Sequence, residues 1–213
     1  MKLYGYFHSS AAYRVRIALN LKALTYEQVP VNLLKGEERN PIFRQLNPQS
    51  LVPVLITADG QVLTQSLAIC EYLEEVYPLP PLLPAEASGR ARVRALAQLV
   101  ACEIHPLNNL RVLKYLKRVL GVEEEAKWSW YRHWIAEGFS ALESLLTDSP
   151  DTGRFCHGDA PTLADVCLLP QVFNAERFQC DLSRYPTIRR IVDACAELPA
   201  FAKAHPASQP DAA

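Results

Sequence analysis

Phe7-His-Ser-Ser-Ala-Ala-Tyr-Arg-Val-Arg-Ile-Ala-Leu19 is the stretch on which the fold turns. It follows Lys2-Leu-Tyr-Gly-Tyr-Phe7, an aromatic-rich run that reads as a short strand. Ser9 and Ser10 stand where a helix should begin, and serine is a favoured N-cap because its hydroxyl accepts an otherwise unpaired backbone N–H. Ala11, Val15, Ala18 and Leu19 fall at i, i+4, i+7 and i+8, one face of a helix. The chain thus opens strand, serine-bearing turn, helix. Such a turn aims backbone N–H groups and hydroxyls at one point, where an anion is stabilised. An ordinary capped helix carries the same letters, so the rest of the chain has to decide between the two.

Working outward, Tyr26-Glu-Gln-Val-Pro-Val31 reads as a second strand, with Pro30 suited to a sheet edge. Strand, helix, strand over this span is a βαβ unit with a right-handed crossover. Residues 32–47 read as a polar loop holding a short helix. Val52-Pro53 introduces the strand Val54-Leu-Ile-Thr57, where a first-position proline removes no ladder donor. A cis bond is one of two isomers open to Val52-Pro53, and it would expose the Val52 backbone to a cleft. Ala58-Asp-Gly60 then turns the strand into Gln61-Val-Leu-Thr64 as a hairpin. Ser66 reads as the N-cap of an amphipathic helix with Ile69, Tyr72, Leu73 and Val76 inside and Glu71, Glu74 and Glu75 outside. The start of that helix is a second anion-friendly point.

Tyr77-Pro-Leu-Pro-Pro-Leu-Leu-Pro84 holds four prolines in eight positions and reads as a stiff connector between domains. Beyond it the pattern is helical throughout. Val93, Leu96, Ala97, Val100, Ala101 and Ile104 form a long apolar stripe that Pro106 interrupts. His105-Pro-Leu-Asn-Asn-Leu-Arg111 is then either a solvated bend or a place where side chains are re-aimed into a cleft. A helix from Glu124 to Leu146 buries Ile135, Gly138, Phe139, Leu142 and Leu146, and starts with Trp128, Trp130, Tyr131 and Trp134 as core or subunit-contact residues. Thr162 and Asp165 have capping-box spacing and mark a structural nucleus. Arg177 complements the dipole at the end of the helix they start. A last helix, Tyr185 to Glu197, leads to the tail.

The bulk numbers exclude several classes. With 49% hydrophobic and 21% charged residues, the 213-residue chain reads as globular. A net charge of -1 offers no electrostatic case for nucleic acid or an anionic membrane. No apolar run approaches the roughly 18 residues of a spanning helix, and the first residues lack a secretory pattern, so a cytoplasmic protein is expected. The six cysteines are scattered without a C-x-x-C pair, and the five histidines lack ligand spacing, so no metal is expected. Cys70, Cys102 and Cys167 read as buried thiols.

In its order of elements the chain resembles the glutathione transferases, whose architecture is an α/β thioredoxin-like N-terminal domain followed by an all-α C-terminal domain. The run from Ser9 to Leu19 is similar to the zeta-class signature. So are Asn47-Pro48, Val52-Pro53, Gln65-Ser66-Leu-Ala-Ile69, Gln171-Val172 with Asn174-Ala-Glu-Arg-Phe178, and Gln209-Pro-Asp211. The matches run the length of the chain. With the proline-rich connector, the expected domains are 1–83, binding glutathione, and 84–213, binding substrate.

The resemblance implies a homodimer with glutathione as cofactor. By similarity, Gln65 and Ser66 hold the γ-glutamyl end, and the Val52 backbone pairs with the cysteinyl unit. Ser9 donates to the sulfur, helped by Ser10, while His105, Asn109 and Arg111 approach the cofactor from the second domain. Arg177 meets a carboxylate of a small dicarboxylate substrate. The implied reaction is cis–trans isomerisation of maleylacetoacetate to fumarylacetoacetate, in tyrosine catabolism, by reversible thiolate addition. Maleylpyruvate isomerisation, general conjugation of glutathione to electrophiles, and a non-catalytic binding protein of the same fold are the alternatives. Two letters depart from the pattern. Ala11 replaces a cysteine found in many members, and His8 replaces an arginine; His8 would meet a substrate carboxylate as a cation only when protonated.

Overall fold

The computed structural model describes residues 1–212. They form two compact units: Met1–Leu82 together with the segment from Ala196 on, and Leu83–Cys195.

The first unit contains β1 (Lys2–Gly5), α1 (Ser10–Leu21), β2 (Glu27–Pro30), α2 (Pro41–Leu46), β3 (Val54–Ile56), β4 (Val62–Thr64) and α3 (Ser66–Val76). Its sheet runs β2-β1-β3-β4, so Pro30 sits in an edge strand, where its missing N–H is harmless. β1 is parallel to β2 and antiparallel to β3, with Tyr4 opposite both Val29 and Val54. The β3–β4 hairpin pairs Leu55 with Leu63. This is the thioredoxin-like arrangement: one βαβ crossover, then a hairpin and a helix. On one side of the sheet Tyr6, Val31, Phe43, Val52 and Val54 form a buried cluster. β1 passes so near α1 that a Cβ on Gly5 would lie 3.1 Å from the Ala12 methyl. Val52-Pro53 and Leu79-Pro80 are cis.

α1 departs from the amphipathic expectation, because Arg14, Arg16 and Lys22 at its end are all buried. Burial of a cation is tolerated when hydrogen bonds and counter-charge replace its water. Lys22 has both: its ammonium meets Glu74 Oε2 at 2.8 Å and donates to the carbonyls of Tyr77 at 2.6 Å and Pro80 at 3.0 Å. The same Glu74 oxygen accepts the backbone N–H of Leu82 at 2.9 Å. Glu74 is therefore inside α3, where the sequence pattern puts it outside. The buried stripe of α3 is Ile69, Cys70, Leu73 and Glu74, while Tyr72 is half-buried and Val76 is 48% exposed. The lysine, 52 positions away in sequence, turns the face.

The tail joins the first unit, whereas the expected boundary at 83/84 leaves it with the helical domain. α10 (Pro199–Ala204) packs against α1, and the Ala204 carbonyl accepts Arg16 Nε at 2.9 Å. Gln209 holds the turn after α10 by donating to the carbonyls of Lys203 and His205, at 3.0 and 2.7 Å.

The second unit is helical: α4 (Ala87–Gln98), a π-helical turn (Leu99–Ile104), α5 (His105–Leu107), α6 (Leu110–Arg118), α7 (Glu124–Thr147), α8 (Leu163–Arg177) and α9 (Pro186–Ala196). Gly138 is where α7 meets the π turn; a Cβ there would lie 2.3 Å from Ile104 Cγ1. Asp165 closes the capping box on Thr162, whose N–H and hydroxyl both donate to Oδ2, at 2.7 and 2.8 Å. Its Oδ1 accepts the Cys156 N–H at 2.8 Å, so one buried carboxylate holds both the helix start and the preceding loop. Burial pushes that carboxyl up, against the pull of its backbone donors. Cys70 and Cys167 are buried as expected, but Cys102 is exposed, because it lies on the outer side of the π turn.

Removing one partner of a buried ion pair strands the other. Glu74→Gln should therefore lower the unfolding free energy by about 3 kcal/mol or more, while Glu75→Gln, on the exposed side of α3, should change it by less than about 0.5 kcal/mol. Urea unfolding of the two variants checks this; equal effects would contradict the pairing.

Candidate active site

Of the expected site residues, His8, Ser9, Ser10, Val52, Gln65 and Ser66 belong to the first unit and His105, Asn109, Arg111 and Arg177 to the second. In the first, Ser9 is the N-cap of α1, with extended backbone and Oγ accepting the Ala12 N–H at 3.2 Å. A hydroxyl that accepts one bond keeps its own hydrogen to donate. Ser10 is buried in the first turn, and Ala11 is half-buried beside it. The His8 ring stacks on Phe7, with ring centroids 3.9 Å apart.

The turn that carries the serines is clamped at both the N–H and the carbonyl of Phe7. The Phe7 N–H donates to Asp211 Oδ2 at 2.9 Å, and the Phe7 carbonyl accepts Arg16 Nη2 at 3.0 Å. Asp211 also accepts Gln28 Nε2 at 3.2 Å, which ties the tail to β2. Arg16 lies 5.0 Å from the Tyr13 ring centroid, and its burial holds the guanidinium down to about 10.

The second anion-friendly point lies at α3. Gln65, not Ser66, is the cap residue, with φ 68° and no side-chain cap bond; Ser66 is the first helical residue. A glutamine held at positive φ outside a turn costs of order 1–3 kcal/mol, a strain that surrounding contacts must maintain. Gln65 Nε2 donates to Gln49 Oε1 at 2.8 Å. Asn47 shapes the loop leading to Val52: Nδ2 donates to the Leu51 carbonyl at 2.8 Å and Oδ1 accepts the Gln49 N–H at 3.0 Å. Ser66 is buried, and Arg14 Nη1 donates to its Oγ at 3.3 Å.

In the second unit, His105, Asn109 and Arg111 occupy the break that Pro106 announces. Asn109 caps α6 by accepting the Arg111 N–H at 3.1 Å, and its Nδ2 lies 3.4 Å from His105 Nε2. The aromatic start of α7 braces this turn, with Trp130 Nε1 donating to the Leu107 carbonyl at 2.9 Å and Asn108 Nδ2 to the Tyr131 carbonyl at 3.1 Å. The same helix start braces the end of α8. Tyr131 and Trp128 pack on Phe178, at 4.6 and 5.2 Å between ring centroids, and the exposed Arg177 lies 4.9 Å from the Phe178 ring. Arg177 and the His105–Asn109 turn thus share one aromatic support.

Arg14, Arg16, Asn47 and Asp211 lie in motifs that the sequence singles out, but their contacts around these points are not legible there. The available signal was two arginines inside an otherwise apolar helix. Among the described residues, no helix is long and apolar enough to cross a membrane.

Known proteins resemble this chain along its length. The models for the glutathione S-transferase N-terminal and C-terminal domains match residues 8–76 and 130–202. A probable maleylacetoacetate isomerase of Vibrio cholerae serotype O1 is 54% identical, over 99% of this chain and 97% of its own. The holo structure of a maleyl pyruvate isomerase, a bacterial zeta-class enzyme, superposes with a TM-score of 0.97 at 54% identity, covering 100% of both chains. The chain belongs to the zeta class of the glutathione S-transferase family. A maleylacetoacetate isomerase from Methylobacterium extorquens AM1, solved with bound malonate and GSH, superposes on this zeta-class chain with a TM-score of 0.97 at 46% identity, covering 100% of both.

In this zeta-class chain the Phe7 clamp predicts a local effect. Asp211→Ala should cost about 1.5–3 kcal/mol, as for hydrogen bonds to a charged group, and should speed amide hydrogen exchange at Phe7. Unchanged exchange at Phe7 would contradict the clamp.

Proposed function

We propose that the protein is a glutathione-dependent cis–trans isomerase that converts maleylacetoacetate to fumarylacetoacetate, working in the cytoplasm as a homodimer and serving tyrosine catabolism. The observation that carries the reading is Ser9, whose hydroxyl is fixed by the Ala12 N–H at the N-terminus of a buried helix. The first unit fits glutathione by its donors. It has one helix start for the sulfur and another, at Ser66, for a carboxylate.

When bound, glutathione supplies a thiolate that adds reversibly to the maleyl double bond, so that the bond rotates as a single one before the thiolate leaves. The protein's part is positioning and electrostatics. A free thiol has a pKa of about 8.5, so the anion is a minority at neutral pH unless it is stabilised. Ser9 donates its hydrogen toward the sulfur, and the N-terminal end of α1, with Ser10, adds its field. Gln65 and Ser66 hold the γ-glutamyl end, and the Val52 backbone receives the cysteinyl unit. His105, Asn109 and Arg111 serve the cofactor. Arg177 receives a carboxylate of the dicarboxylate substrate and offsets charge developing on its carbonyl side. Phe7 stacking keeps the His8 ring beside the serine turn, where its protonated form would favour an anionic substrate.

Maleylpyruvate is the second substrate to try, because a relative bearing that name matches as well as one named for maleylacetoacetate. An absorbance assay with both substrates, with and without glutathione, decides. Turnover that requires glutathione is expected, and its absence for both would overturn the reading. Ser9→Ala should lower kcat by about 10²-fold, the usual loss of one donor to a developing anion, whereas Ala11→Cys should change it little. Arg177→Ala should raise KM for the maleyl substrate and leave glutathione affinity unchanged.

A further inference from the structure

The cations of α1 are not treated alike. Lys22 is paired with Glu74, and Arg16 donates to the carbonyls of Phe7 and Ala204. Arg14 is 1% exposed and makes one hydrogen bond, Nη1 to Ser66 Oγ at 3.3 Å. Its Nε and Nη2 are buried without a hydrogen-bond partner, and no carboxylate pairs with it among the described residues. A buried guanidinium left in this way is costly, because no counter-charge offsets its loss of water. Something outside the resting chain is fitted to offset it.

The single bond that Arg14 makes indicates what that is. Guanidinium has donors only, so Ser66 Oγ must be the acceptor, and the serine hydrogen is left to donate in another direction. Ser66 is the first residue of α3, a helix of 11 residues whose opening N–H groups are unpaired. A buried positive charge, an oriented hydroxyl and a helix N-terminus all favour an anion at the same place. We propose that Arg14 is a positioning residue that orients the Ser66 hydroxyl and supplies the buried counter-charge for a ligand carboxylate bound at the start of α3. The inference rests on the glutathione reading above and deepens it: that carboxylate is the α-carboxylate of the γ-glutamyl residue. Arg14 acts through Ser66 and through its field, since its own unpaired nitrogens are shut off from solvent.

The test compares wild type, Arg14→Met and Arg14→Lys by calorimetric titration with three thiol tripeptides. These are glutathione, 4-aminobutyryl-cysteinyl-glycine, which lacks only the α-carboxylate, and glutaryl-cysteinyl-glycine, which keeps a carboxylate and lacks the amine. Melting is followed without ligand. Arg14→Met should weaken glutathione and the glutaryl peptide about tenfold or more, the size of a lost charge-assisted bond, and the aminobutyryl peptide less than about twofold. Its ligand-free melting temperature should equal or exceed that of wild type, because an uncompensated buried charge has been removed. Arg14→Lys, which keeps the charge but not the planar fork, should show a smaller loss confined to the two carboxylate-bearing peptides. It carries the comparison if the methionine variant does not fold. Equal weakening of all three peptides, or none, would overturn the proposal. Wild-type protein that does not bind glutathione overturns both this inference and the function above it, whereas wild-type binding matched by Arg14→Met overturns this inference alone.

Discussion

Helix α1 is buried on nearly all sides, and it carries cations into that interior. Each has to be met by polar groups from elsewhere in the first unit. Arg14 reaches the start of α3, Arg16 reaches the Phe7 turn and α10, and Lys22 reaches the end of α3 and the proline-rich segment. An amphipathic helix can roll against a sheet at small cost. This one is fixed in rotation and in translation, because sliding it would break charge-assisted bonds at both ends and in the middle.

That fixation bears on the proposed site, whose serines sit at helix starts. Ser9 Oγ accepts from Ala12 N–H, and Ser66 Oγ accepts from Arg14. In both serines the protein occupies an acceptor site and leaves the hydrogen to point elsewhere. Two oriented hydroxyls at two helix N-termini suit a ligand with a thiolate at one end and a carboxylate at the other. The Phe7 clamp extends the same logic, since Asp211 and Arg16 hold the peptide just before the serines.

Much of this was legible in the letters. The βαβ order, the hairpin after Pro53, the Ser9 cap and the Thr162–Asp165 box are local patterns of period and capping, and they stand in the structure. What was illegible is long-range. Arg14 and Lys22 each find partners 52 residues away, and Asp211 finds Phe7 across 204. A helical pattern reads a charged letter as an outward one unless its partner is known, so it puts Glu74 on the wet face, whereas Lys22 draws it inside. Ser66 was legible as an anion point but not as the first helical residue, because the cap position falls on Gln65 at positive φ. The helical pattern marks the interruption at Pro106 but not its form, a π turn over Leu99–Ile104 that meets α7 where Ile104 lies close to Gly138. The roles proposed for His105, Asn109, Arg111 and Arg177 come from the family resemblance, since spacing alone leaves a bend and a helix end.

On the proposed reading, the start of α1, with Ser9, stabilises a thiolate. The most direct measurement is the ultraviolet thiolate absorbance of protein-bound glutathione as pH is varied, in wild type and in Ser9→Ala. The account predicts that bound thiol titrates at least about one unit below the ordinary value near 8.5 in wild type, and returns toward that value in the variant. Titration at the free-thiol value in wild type, or the same depressed value in both proteins, would contradict it.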